Sequence, residues 1–496
     1  MITQTRRLPL VVFLALVTGL VAGCGGGSSS TSAGGSSIPA GASIVRASVA
    51  TFVAIDSDTG SDQWQQLDEL AKKFPGRDKA IAHIDDELTK EGLDYDSDVK
   101  PAVGPELDLA IASAGTDKST RVVGLTKPGD PAKFEALVQK LNASDSDGEK
   151  LVTRQLEEGW YAISDSQLAI TSVLKGAQTP LAADDTFKQA MDKLPADTLV
   201  KAFLDGQQLG ALASQAAAKG GGSSFDPSLL GFDNLEYVAV SASAEDDGIR
   251  IRGASSGGPA TGGGATTLAD GVPGDAFVLL DFLGQGTTDQ LGRLKSSPQF
   301  APVLDELREY GVTLDEVLAL LNGEVAFYAR PGGVIPELTL VLEPKDAAAA
   351  LATIDKLMEH LAAAQGGKVE SGTQDGHPVK TVNFGNFAIH YGAADGKVLL
   401  TSGLNGIADY GTSGDRFPDS ADFKEAKDAA GMPDSTGGFA YIDVKDVLPL
   451  LEGLAALSGQ SLPSEVTDNL RPLRSFLAWS EGGSDARTYD AFLEIK

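Results

Sequence analysis

The sequence predicts an α+β fold of two tandemly repeated lobes, each a mostly antiparallel sheet with helices packed on one face. Three observations carry this. The same residue landmarks recur in the same order in two halves of the chain. Short apolar runs follow one another with only Asn, Gly and Asp between them, which implies antiparallel pairing. One long segment, Asp346 to Ala364, places Leu351, Ile354, Leu357, Met358 and Leu361 on a single stripe, as a helix lying against a sheet does.

The chain opens with Arg6 and Arg7 and no acid, then runs apolar from Leu8 to Val21, interrupted by Pro9, Thr18 and Gly19. That run is shorter than the roughly 20 residues that span a bilayer and has the layout of a secretion signal that is removed. It ends Val21-Ala22-Gly23-Cys24, which resembles the lipobox of bacterial lipoproteins, with Val21 where that family most often has Leu. The resemblance implies acylation of Cys24 and cleavage just before it, leaving residues 1–23 as the signal. Paired acyl chains give stable attachment at about 0.8 kcal/mol per buried methylene. The expected location is therefore the outer face of the cell membrane, with the lipid on Cys24 as the membrane partner. Residues 24–37 continue as a tether, and Gly25 to Ser37 holds only Gly, Ser, Thr and Ala. Such a segment spans about 20 Å as a flexible coil.

The first lobe is read as 38–254, a Gly/Ser/Thr/Ala linker with Pro259 as 255–267, and the second lobe as 268–496. Ile38-Pro39 opens a strand and matches Val272-Pro273. Gly92-Leu93, an acidic cluster and Pro105-Glu106-Leu107 match Gly311-Val312, Asp315 and Gly323-Glu324-Val325. Lys127-Pro128-Gly129-Asp130 before a helix matches Glu343-Pro344-Lys345-Asp346, with a cap expected at Asp346. Tyr161, Asp165 and Thr171-Ser172 match Tyr391, Asp395 and Thr401-Ser402 at a constant offset. Phe187-Lys188 matches Phe423-Lys424, and Phe203-Leu204-Asp205 matches Tyr441-Ile442-Asp443. Each half closes with two strand-like runs, at 235–243 and 248–254 and again at 473–480 and 487–495. Six matches in one order point to duplication. Together these landmarks resemble the bacterial domain-of-unknown-function family numbered 3352, found in exported proteins. The resemblance covers nearly all of residues 38–496 and implies no activity.

Composition bounds the partners. Of 40 Lys and Arg, loss of Arg6 and Arg7 leaves 38 against 69 Asp and Glu, a mature charge of 38 − 69 = −31. Phosphate backbones are recognised by clustered cations, so nucleic acid is not an expected partner. Cys24 is the only cysteine, so the body has no disulfide and is stable through its core alone.

Asp94-Tyr95-Asp96-Ser97-Asp98 starts like a calcium loop, but Val99 and Pro105 stand where the turn glycine and closing glutamate belong, so helix capping is the reading. Asp56 to Asp62 and Asp145 to Gly148 read as solvated turns. Ser172-Val173-Leu174-Lys175 has the Ser-x-x-Lys form of acyl-enzyme hydrolases, yet its matched Ser402-Gly403-Leu404-Asn405 lacks the lysine. Gly253-Ala254-Ser255-Ser256-Gly257 has a nucleophile-elbow form but no helix after it. His83, His360, His377 and His390 show no metal spacing, and Trp64, Trp160 and Trp479 fall at non-equivalent positions, as packing residues do. No catalytic or metal-binding set and no cofactor is assigned. The expectation is a non-enzymatic binding or structural envelope protein, with an envelope protein as partner. The alternatives are a carrier of a lipid in a cavity of curved sheets and a hydrolase with dispersed site residues.

Overall fold

The computed structural model describes residues 37–496 except 114–119, 145–149, 209–233, 258–263, most of 285–299, and 334, 386, 413, 458–459 and 483–485. Val21, Ala22, Gly23 and Cys24, most of the tether and the Asp145 turn lie outside the described residues. Contacts divide the chain into two compact units. The first takes the described residues up to Gly220 with Leu235–Ser256 and Ile495–Lys496; the second takes those of Gly221–Asn234 and Gly257–Glu494.

The first unit contains strands β1 (Thr51–Asp56), β2 (Glu106–Ser113), β3 (Thr120–Thr126), β4 (Val152–Gln155), β5 (Tyr161–Ser164), β6 (Val200–Asp205), β7 (Leu235–Glu245) and β8 (Gly248–Gly257). Its ladder runs β4-β5-β3-β2-β1-β6-β7, every pairing antiparallel. The remaining strands are β9 (Val278–Leu283), β10 (Glu324–Arg330), β11 (Glu337–Glu343), β12 (Val369–Gln374), β13 (His377–Asn383), β14 (Ala388–Ala394), β15 (Lys397–Thr401), β16 (Gly438–Asp443), β17 (Leu473–Gly482) and β18 (Ala486–Ile495). The ladder of the second unit runs β12-β13-β14-β15-β11-β10-β9-β16-β17, again antiparallel throughout.

Helices cover both faces of each sheet, which corrects the one-face expectation. In the second unit Ala326, Tyr328, Val341 and Leu399 point to Phe417 and to Phe423 of the helix Ala421–Ala430. The alternating residues Val325, Leu342 and Val398 point instead to Ala350 and Ile354 of the helix Ala347–Ala364. The first unit repeats the arrangement. Phe52, Ala110, Val123 and Ala162 meet the helices Gln167–Val173 and Asp185–Met191, and Leu107, Tyr161 and Ile163 meet Phe134 and Leu137 of Pro131–Ser144. The sequence signal was the unbroken apolar run, as in Val325-Ala326-Phe327-Tyr328: a strand buried on both sides has no polar alternation.

Local chemistry sets the helix ends. Asp346 accepts from Ala349 N at 3.0 Å as the expected cap, and Asp130 accepts from Ala132 N at 3.0 Å. Thr313 and Glu316 form a reciprocal capping box on Leu314–Leu320. Gly92 and Gly311 end their helices at φ 72° and 69°. There the 6→1 bonds Leu93 N to Leu88 O and Val312 N to Leu307 O satisfy last-turn carbonyls. A Gly311→Ala variant is expected to lose about 1 kcal/mol, read as a lower urea midpoint with unchanged slope.

Four other expectations are corrected. Ile38-Pro39 opens no strand. Pro39 lacks an N–H for a ladder and precedes the 3-10 helix Ala40–Ser43; β1 begins only at Thr51. Val272-Pro273 likewise follows the 3-10 helix Leu268–Gly271, ahead of β9. The constant-offset match fails in space. Tyr161 lies on β5, which pairs β3, whereas Tyr391 lies on β14, which pairs β13 and β15. Thr171 and Ser172 are helical while Thr401 ends a strand. The linker begins later than 255, because β8 runs to Gly257. The stripe of the helix Ala347–Ala364 is also rotated at its end, with Ala362 buried and Leu361 exposed.

Candidate functional site

In each unit a glutamate, half-buried Glu106 and buried Glu324, holds the backbone of the 3-10 segment that precedes the first strand. Glu106 and Asp108 stand two residues apart on β2 and so share one face. Glu106 Oε1 accepts from Gly41 N at 2.9 Å. Asp108 is fully buried beneath Gly41, and a Cβ on that glycine would sit 1.8 Å from Asp108 Oδ2. Burial and then the neighbouring Glu106 push the Asp108 carboxyl well above the usual carboxylate range.

In the second unit Glu324 on β10 accepts from Thr267 N, Leu268 N and the Thr267 hydroxyl. Asp281 on β9 accepts from Ala269 N at 3.1 Å. Asp281 lies opposite Ala326, and Glu324 opposite Leu283, so the acids meet diagonally across two strands. Burial, and then Glu324, raise the Asp281 carboxyl. Tyr410 donates to Leu268 O at 3.0 Å and Arg416 to Gly271 O at 3.1 Å, adding two further ties on the same segment.

Beside Glu106 lies a polar cleft of about 240 Å³ that also takes in Asp56, Asp197 and Lys201. The Lys201 ammonium donates to Ser37 O at 2.9 Å, and burial lowers its pKa. Burial pushes the Asp56 carboxyl up to about 6, against the opposing bonds from Ser61 and Asp58 N. A larger open groove of about 740 Å³ lies between β4 and the helix Gln167–Val173, with Arg154, Trp160 and Lys175 in its lining.

The residues singled out in the sequence have other employment. Asp94 accepts from Ser97 N at 2.8 Å as the cap of a π-helical turn, and Asp98 binds Lys140 Nζ at 2.6 Å. Asp56 and Asp58 accept from Asp58 N and Gly60 N in successive turns. The Ser172 hydroxyl donates to Ala169 O at 2.7 Å, while Lys175 faces the groove, so Ser-x-x-Lys forms no pair. Gly253 to Gly257 lie within β8. His390 meets Thr381 Oγ1 at 2.9 Å and His360 stacks on Tyr310; Trp64, Trp160 and Trp479 are all buried. Among the described residues Asp422, Asp443 and Asp446 bring carboxylates together, but Lys445 Nζ already lies 2.9 Å from Asp422 and Tyr441 donates to Asp443. No described helix is long and apolar enough to cross a membrane.

Sequence reasoning missed Asp108, Asp281 and Arg154, and weighed Lys175 only as the lysine of Ser-x-x-Lys. A charge at an inward position of an apolar run, as in Leu107-Asp108-Leu109, was the available signal.

A family profile described as a protein of unknown function, DUF3352, matches residues 9–495. Two crystal forms of a protein called TP0453 are similar in part. Form IV has 12% identity and a TM-score of 0.23 over 44% of this chain and 76% of that one. Form III has 11% identity and a TM-score of 0.23 over 46% and 93%. No curated protein matches the chain.

Proposed function

The chain belongs to the DUF3352 family, and we propose that this member is a membrane-tethered, non-enzymatic binding or structural lipoprotein whose body arose by duplication. The observation that carries the duplication is the shared ladder. Setting Glu106 on Glu324, the run β5-β3-β2-β1-β6-β7 has the same antiparallel order as β15-β11-β10-β9-β16-β17. Phe187 and Phe423 then occupy the same position, each donating its backbone N–H to the side chain that caps its helix, Asp184 and Ser420. Asp205 and Asp443 each end the next strand and accept from the N–H three residues on. The second unit carries β12 and β13 in addition. On this alignment the buried acid has changed strands within one cross-strand pair, Ala54 with Asp108 becoming Asp281 with Ala326.

The tether reading rests on Val21-Ala22-Gly23-Cys24 and the Gly/Ser run after it. Its place ahead of Ser37, where Lys201 and Glu106 hold the backbone, would deliver any pull from the membrane to a fixed point of the first unit. Both sheets are covered on two faces by packed side chains, which favours a scaffold over a carrier with a cavity inside the sheet. Metabolic labelling with an alkyne fatty acid tests the anchor. The wild-type chain is expected to carry label and sediment with membranes; Cys24→Ser is expected to lose both. Label retained by Cys24→Ser would end the reading.

A further inference from the structure

We propose that the groove beside β4 binds a compact anionic amphiphile, its acidic head on Arg154 and Lys175 and its apolar part along Ile44, Leu156, Trp160 and Leu174. The volume, about 740 Å³, falls in the range where small-molecule sites lie, and the lining mixes an apolar wall with a few polar groups.

The cations carry the argument. Arg154 donates from Nε and Nη2 to Gln167 Oε1 at 3.2 and 2.8 Å, and from Nη2 to Thr171 Oγ1 at 3.0 Å. Gln167 is in turn fixed by Thr153 O at 3.1 Å. Every one of these acceptors is neutral, so the guanidinium is oriented while its charge stays uncompensated. Lys175 has no carboxylate within ion-pair reach among the described residues, whereas lysines such as Lys140 and Lys188 pair with Asp98 and Asp185. In a chain of formal charge −29, two cations that form no ion pair among the described residues give this groove a local means of holding an anion, with Glu157 and Glu158 on the same lining. Neither residue could be linked to the other from sequence. The bridge from Val45 to Leu174 and the hairpin β4–β5 bring them to the same wall.

The rim sets the size of the head. Glu157 and Glu158 are exposed there, and Glu158 holds a left-handed backbone at φ 57° followed by Gly159 at 83°. Their charges repel a long polyanion lying across the opening and leave space for a single acidic group. On the duplication alignment the equivalent place in the second unit lacks the arginine. Gly392 of β14 takes the place of Arg154, and Pro378 O of β13 lies 2.6 Å from where its Cβ would be.

Titration calorimetry on the full chain tests this with dodecyl phosphate below its micelle concentration, and with dodecanol and inorganic phosphate as separate ligands. Dodecyl phosphate is expected to saturate one site. Arg154→Gln and Lys175→Gln should each weaken it about tenfold, at unchanged melting temperature. Arg154→Lys, which keeps the charge and loses the fork, should retain part of the affinity and covers the case in which the glutamine variant misfolds. Dodecanol binding as tightly would remove the anion recognition, and phosphate binding as tightly would remove the apolar half. Full affinity in both glutamine variants would put the ligand elsewhere. Each of these three results overturns the proposal, and none bears on whether Cys24 is acylated.

Discussion

Glu324→Ala is expected to destabilise the second unit by about 2–4 kcal/mol, because it leaves buried backbone donors without an acceptor. The side chain is 5% exposed and takes bonds from Thr267 N, Leu268 N and the Thr267 hydroxyl. Alanine cannot replace them, and Leu268 is fully buried, so water has little access to its N–H. Urea unfolding measures the loss, and hydrogen exchange should show the Thr267 and Leu268 amides losing protection first. Glu324→Gln keeps an acceptor oxygen and should cost less; equal losses in the two variants would show that the bonds are not what matters. The pH dependence follows from Asp281, whose carboxyl is raised by burial and by Glu324, with Asp270 adding to it. Tyr410 faces it as a neutral phenol, its pKa raised by burial and then by Asp281. A group raised on folding contributes stability that is complete below its unfolded pKa and is lost as pH climbs through the folded value. The second unit should therefore weaken between about pH 4, the unfolded carboxylate value, and about pH 8, the raised value of Asp281. Asp281→Asn should flatten that slope, and an unchanged slope would exclude Asp281 as its source.

How much of this could be read from the sequence depends on how local the cause is. The cap at Asp346 was legible, since a helix end is fixed by a few neighbouring residues. Phe187 and Phe423, set against each other in the sequence, each donate a backbone N–H to the side chain that caps their helix. The failed match of Tyr161 with Tyr391 has a different origin. A constant offset ignores the additional hairpin β12–β13, and strand pairing is set by partners far along the chain. The pairing of Pro105 with Gly323 is also a matter of register. Gly104, one place before Pro105, makes the close approach, with a would-be Cβ 1.9 Å from Lys127 O, as Gly323 does 1.8 Å from Glu343 O. Asp108 and Asp281 were passed over because an acid inside an apolar strand becomes intelligible only when its partner is known. That partner is two residues away in one unit and on the neighbouring strand in the other. Arg154 and Lys175 were illegible because their meaning lies in what does not neutralise them.

Phe423→Ala is expected to cost about 3–5 kcal/mol, the largest effect of any single substitution considered for this chain. The ring is 5% exposed and sits among Phe417 at 4.4 Å, Tyr441 at 5.4 Å and Phe439 at 5.7 Å between centroids. Tyr441 stands edge-on to it at 88°, an arrangement that adds to simple burial. Truncation opens a void bounded on one side by β16, which holds Tyr441 and Phe439 in register with β9 and β17, and so cannot collapse. Phe423→Leu separates the contributions, since it keeps most of the apolar volume and loses the edge-to-face contact. It should cost about half as much. The backbone cap from Ser420 Oγ to Phe423 N is retained in both variants, so any difference between them belongs to the ring. Phe187 offers the parallel experiment in the first unit, edge-on to Phe52 at 6.0 Å and to Phe203 at 5.1 Å. If the two units descend from one ancestor, Phe187→Ala and Phe423→Ala should each produce its own unfolding transition shifted and the other left in place. A single common transition that moves equally for both variants would mean that the two units unfold as one cooperative body.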